Sequence, residues 1–185
     1  MWLWRKLTSL GSQGSTANAA RFHNQNSLPS VTEEHFHRNF ADPVSPTPGD
    51  GGKKFDEFIP AWNNGDYEAA SKLLNEAIKL GLEDPDKSSA YSYLGQIYIK
   101  QGQLEKAVSS LLMCLKTRVR PSVITWETAM RLYYIYSEVG DSELATRFLS
   151  LARDSNSMLN IPRKHLPNVE LEICELTRRK VPRSH

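Results

Sequence analysis

The chain has 185 residues, 39% of them hydrophobic and 24% charged, with a formal net charge of +2. That length supports one domain with a substantial core, and so small a charge does not by itself imply a nucleic-acid partner. No run approaches the roughly 20 apolar residues that cross a bilayer, and Cys114 and Cys174 lie on expected helix faces as reduced thiols rather than as a secreted disulfide framework. The expectation is a soluble protein.

Residues 1–30 contain no Asp or Glu and carry Arg5, Lys6 and Arg21 among Ser, Thr, Asn and Gln. Such a composition cannot bury a core, so the first reading is a disordered tail. Trp2, Leu3, Trp4, Leu7 and Leu10 beside Arg5 and Lys6 also suit an interfacial helix, ending at Gly11, that would touch a membrane surface through residues 1–10. An acid-free segment with arginine and serine further fits an organelle transit peptide. The location expected is cytoplasmic, with a mitochondrial or other organellar one as the alternative. A secretory signal is not expected, because basic residues interrupt the apolar stretch.

A short helix is expected over residues 31–40. Ser30-x2-Glu33 has capping-box spacing, and Phe36 and Phe40 share a face. Those two rings are expected to pack onto the following domain, or to sit in its groove as a lid in cis. His35 and His37 lie near Glu33 and Glu34, yet residues two apart point to nearly opposite sides of a helix, so no metal site is assigned. Ala41 to Lys54, with three prolines and Asp50-Gly51-Gly52, reads as a linker. Residues 1–54 are thus read as largely disordered apart from the 31–40 helix, with the folded domain over 55–180.

Three segments of that domain align without gaps: GDYEAASKLLNEAI from Gly65, GQLEKAVSSLLMCL from Gly102 and GDSELATRFLSLAR from Gly140. Each has alanine sixth (Ala70, Ala107, Ala145) and leucine tenth (Leu74, Leu111, Leu149), and the glycines are 37 and 38 residues apart. Each segment reads as the second helix of a hairpin, near 66–80, 103–117 and 141–154, and Gly102 is expected to close the helix before it in a left-handed conformation. In the middle unit the first helix presents Tyr91, Leu94, Gly95 and Tyr98 at i, i+3, i+4 and i+7. A helical glycine costs about 1 kcal/mol relative to alanine, so Gly95 marks a close approach, with small Ala107 expected opposite it. In the first unit Pro60 is expected to kink or shorten the first helix. In the third, Tyr133 replaces the glycine. Beyond an expected loop at 154–161, Val169, Ile173 and Leu176 are spaced for a final helix near 167–179.

Tyr91-x2-Leu94-Gly95-x2-Tyr98 followed by Ala107-x3-Leu111 resembles the tetratricopeptide repeat, with Tyr for the usual Trp and Leu for the usual Phe. The resemblance implies an all-α fold, a short α-solenoid of three antiparallel helix hairpins closed by a capping helix near 167–179. It also implies a concave groove, lined by the first helices, that accepts peptides or helices. By repeat phase that groove would hold Phe55, Ile59 and Trp62, then Ser89, Ser92, Gln96, Ile99 and Lys100, then Glu127, Met130, Arg131, Tyr134 and Glu138. The basic clamp with which some members hold acidic C-termini is absent: Phe55, Ile59, Tyr93 and Glu127 occupy its places, and only Arg131 agrees. A mixed apolar and polar surface of this kind suits an amphipathic helix or a hydrophobic strand.

The chain has no phosphate-cradling glycine loop, zinc-spaced Cys/His set or nucleophile elbow. Catalysis, a cofactor and a metal are therefore not expected. The sequence reads as a non-catalytic adaptor, scaffold or assembly chaperone with a protein or peptide partner. Helical-repeat RNA binding is an alternative, resting on Arg118 and Arg120; another is a membrane-surface scaffold held by residues 1–10.

Overall fold

The computed structural model describes residues 28–36, 49–117 and 123–159. A 3₁₀ turn at Glu33–His35 precedes six α-helices: α1 Gly49–Asn63, α2 Tyr67–Leu80, α3 Asp84–Lys100, α4 Leu104–Lys116, α5 Val123–Val139 and α6 Ser142–Leu159. They pair as hairpins α1/α2, α3/α4 and α5/α6, and no strand occurs among the described residues. The chain is therefore an all-α, short solenoid. The expected capping helix near 167–179, the terminal anchor and Phe40 lie outside the described residues.

One piece of backbone chemistry closes all three hairpins. Gly65, Gly102 and Gly140 have φ of 73°, 71° and 86°, a left-handed conformation that glycine adopts without a Cβ penalty. Each glycine N–H donates three residues back, to Trp62, Ile99 and Ser137. The next N–H reaches five residues back, to Ala61, Tyr98 and Tyr136, at 2.9, 2.8 and 3.0 Å. These paired bonds satisfy carbonyls that a helix end leaves open. The following helix then starts at once: Asp66 and Asp141 accept from Ala69 and Leu144 N–H, both at 3.0 Å, as N-caps do.

Several boundaries differ from the sequence expectation. Helix α1 starts at Gly49, six residues before Phe55, and runs through Pro60. Phe58 and Trp62 lock it against Tyr93 of α3, with ring centroids 4.8 and 5.2 Å apart, which outweighs the bond that proline cannot make. Helix α3 begins at Asp84, where Pro85 is favourable in a first turn and Asp84 and Asp86 suit the N-terminal dipole. Helix α6 continues to Leu159, through residues expected to be a loop. Buried Ser155 donates to the Leu151 carbonyl at 2.9 Å, so its hydroxyl needs no other partner there. Near the N-terminus only Glu33–His35 is helical among residues 28–36, and the cap is Thr32 rather than Ser30.

Packing within the hairpins turns on the repeat's small residues. Ala70, Ala77, Ala107 and Ala152 are at most 1% exposed. At Gly95 the space a Cβ would need is taken chiefly by Leu111, whose Cδ2 would lie 2.5 Å away, with the Ala107 carbonyl 3.6 Å off; the close neighbour is the leucine more than the expected alanine. In the third hairpin Tyr133 stands where the glycine would be, and Leu149 is left half-buried while its neighbour Phe148 is fully buried. Between hairpins, Cys114 Sγ lies 3.3 Å from Ser88 Oγ and 3.4 Å from Thr128 Oγ1, a buried polar contact joining α3, α4 and α5. The first helices α1, α3 and α5 pack on one another in succession, whereas no two second helices pack to that extent. One face is thus closed by three adjoining helices, and α2, α4 and α6 splay on the other.

The two kinds of glycine should separate on mutation. Gly65→Ala adds a Cβ that meets nothing within 4 Å, so its cost is the left-handed backbone alone, about 1–2 kcal/mol. Gly95→Ala gains helix propensity but overpacks against Leu111, for a net loss of about 1–2 kcal/mol. Denaturant melts of Gly→Ala→Val series should show the cost rising steeply with side-chain volume at 95, and far less at 65.

Candidate functional site

The inner face presents three helical stripes. On α1, Ile59 is 46% exposed and flanked by half-buried Phe55 and Trp62. On α3 the face has half-buried Ser89, Tyr93 and Gln96 with exposed Lys100, and on α5 half-buried Glu127, Met130, Tyr134 and Glu138. Phe55, Phe58, Trp62, Tyr67 and Tyr93 form one aromatic group at the α1 end, each ring within 5.6 Å of the next. Lys100 Nζ lies 5.7 Å from the Tyr67 ring centre, a cation–π distance, and brings positive charge to the edge of that group.

Three of the groove residues expected from the repeat phase are not on this surface. Ser92, Ile99 and Arg131 are 3%, 5% and 2% exposed, so they belong to the packing between repeats. Arg131 Nη1 bonds Glu127 Oε2 at 3.1 Å, one helical turn away. Removing either partner of so buried a pair would strand the other's charge, which makes the pair structural. Met130 and Tyr134 are intermediate: both pack against the core with part of the side chain open, and Tyr134 leans on Tyr133 at 4.8 Å. The signature residues Ala70, Leu94, Gly95, Ala107 and Ala145 are buried, and Tyr91 and Tyr98 are half-buried on the outer side of α3. Tyr93, which the repeat phase put at one of the clamp places, is central to the aromatic group.

The outer face carries a second feature. Residues 28–36 lie against α4 and α6, with Leu28, Val31 and Phe36 on the larger core cluster. The Phe36 ring is 5.0 Å from Phe148, whose other neighbour is Tyr136, stacked at 5.5 Å. The Arg147 guanidinium sits 3.9 Å from the Phe36 ring centre and pairs with Glu33 at 2.6 Å, while Lys116 pairs with Glu34 at 3.2 Å. Phe36 is therefore on the side opposite the groove, not in it. His35 is buried, and its Nδ1 lies 2.9 Å from the Thr32 N–H and 3.0 Å from the Thr32 carbonyl. A neutral ring accepts the first bond; a protonated ring would donate the second. Among the described residues no group of three His, Cys, Asp or Glu is placed to hold a metal. Burial pushes the Cys114 thiol up, away from a nucleophile's range.

Residues 61–116 match the model of a family described as tetratricopeptide repeat. No curated protein and no solved structure matches the chain.

Two groups tie stability to pH. Burial lowers the His35 pKa, the Thr32 carbonyl opposes that, and Lys116 lowers it further against Glu34. Docking of 28–36 is then fully supported above about 6.5, the free-histidine value, and weakens as pH falls from there through the lower value of the docked ring. Amide exchange in 28–36, corrected for intrinsic rates, should accelerate between pH 7.5 and 5.5, and His35→Asn should remove that change; Arg147, also nearby, keeps its charge throughout. At the other end, burial and the Asp141 charge raise Tyr136 to about 12, so stability is full below pH 10 and is lost as pH rises through 12, by about 2–3 kcal/mol. Among the described residues its buried hydroxyl has no hydrogen-bond partner, so Tyr136→Phe should flatten this loss at little cost near neutrality.

Proposed function

Because residues 61–116 match the tetratricopeptide-repeat model, we propose that this chain is a non-catalytic adaptor or scaffold that holds a protein segment on the inner face of α1, α3 and α5. Repeats of this family generally mediate protein–protein interaction. The observation that carries the reading is the unfilled apolar end: Ile59 stands 46% exposed beside half-buried Phe55 and Trp62. An exposed aliphatic side chain over an aromatic group is a place for an apolar anchor. Along the same face Gln96 and Lys100 offer hydrogen bonds and a positive charge, and Glu138 an acidic end. The partner that suits this gradient is an amphipathic helix or strand, apolar where it meets α1 and basic where it meets α5.

Affinity capture with the full chain tests it, comparing wild type with Ile59→Asp and with Tyr134→Ala. A protein bound by wild type and reduced at least tenfold in both variants, with melting temperatures within about 3 °C of wild type for Ile59→Asp, supports the inner face. Equal capture by all three, or retention only of RNA or lipid, rejects it.

A further inference from the structure

We propose that the outer face between α4 and α6 is a second peptide-binding site, built for a short segment in which two acidic residues precede an aromatic one, and that residues 28–36 are its tethered, displaceable occupant. The site goes beyond the inner-face reading and lies on the opposite side of the domain.

The splay of the second helices opens the wedge, and the third repeat is specialised to receive a ring there. At the eighth and ninth positions of the aligned segments it has Arg147 and Phe148, where the second repeat has Ser109 and Ser110 and the first Lys72 and Leu73. Arg147 covers one side of Phe36 and reaches Glu33, and Phe148 supplies the neighbouring ring. The matching tyrosines show the same divergence. Tyr98 in the second repeat is half-buried, with its hydroxyl 3.4 Å from Asn75 and Lys106 over its ring. Tyr136 in the third is 3% exposed and stacked on Phe148.

The attachment has the character of a ligand rather than of core. Leu28, Val31 and Phe36 are its three partly buried anchors, and both ion pairs are solvent-exposed on the strap side, Glu33 at 70% and Glu34 at 74%. Exposed pairs select a partner more than they hold it. Twelve residues, 37–48, separate the segment from α1, a reach of about 40 Å when extended. Because the segment is on the same chain, its docking is intramolecular, which keeps a weak site filled in cis while leaving it open to a competitor of the same chemistry.

The probe is a fluorescein-labelled peptide of residues 27–38, titrated with the full chain by fluorescence anisotropy. The wild-type chain should bind it at least tenfold more weakly than a full chain whose own segment is disabled by Phe36→Ala with Val31→Asp. Adding Arg147→Glu to the disabled chain should cut affinity at least tenfold, and a peptide carrying Glu33→Arg should restore it. Equal binding to wild-type and disabled chains, or binding to neither, overturns the proposal. So does loss of cooperative unfolding in the disabled chain, which would make the segment part of the core. A wild-type dimer that depends on Phe36 would assign the occupant to a second copy and overturn the cis assignment. Ile59 and Tyr134 are untouched in every variant, so the outcome is independent of partner capture on the inner face.

Discussion

Reversal of the chain at a left-handed glycine, three times over, is the constraint on which this molecule depends. At Gly65, Gly102 and Gly140 the same two backbone bonds end one helix and aim the next back along it. With so few residues between the helices, the partners must lie side by side, and their contact surfaces must be thin. That requirement places Ala70, Ala107 and Ala145 at the crossing and puts Gly95 under Leu111. A larger residue at such a point forces the helices apart, since a packed interior has no slack to absorb it.

In the third hairpin one of those rules is relaxed. Tyr133 replaces the small residue, Leu149 no longer seats fully, and Phe148 carries the burial instead. A helix that buries its ninth position rather than its tenth presents different side chains on either flank. Arg147 and Phe148 then face the wedge beside α4, and the segment around Phe36 lies there. A packing change inside one repeat has thus altered the outer surface.

The two faces differ in how their apolar residues are covered. On the outer side the chain supplies its own cover, with a buried histidine, a ring against Phe148 and a pair of surface charges. On the inner side the aromatic group between α1 and α3 is tightly knit within itself, and Ile59 is left open above it. The polar ends of that face, Lys100 and Glu127, are held by Tyr67 and Arg131. Their positions are therefore set by neighbours within the domain itself.

Whatever recurs locally was legible in the sequence. The glycine spacing, the sixth-position alanines and the i, i+3, i+4, i+7 stripe at Tyr91 to Tyr98 determined the hairpins and their order, because turn chemistry and helical period act over a few residues. Helix ends were less legible where packing overrode propensity: α1 continues through Pro60 because Phe58 and Trp62 are clasped by Tyr93, and α6 outlasts its polar stretch. Repeat phase alone placed Ser92, Ile99 and Arg131 in the groove, but a middle helix has neighbours on several sides, and they are buried. Nor could any local pattern say that Glu33 would meet Arg147, 114 residues away. That pairing depends on how the second helices α4 and α6 lie relative to each other, which is a matter of tertiary packing. The sequence by itself determined a three-hairpin helical array; only the tertiary structure decided which faces of it stay open, because exposure is a property of neighbours that a linear pattern does not contain.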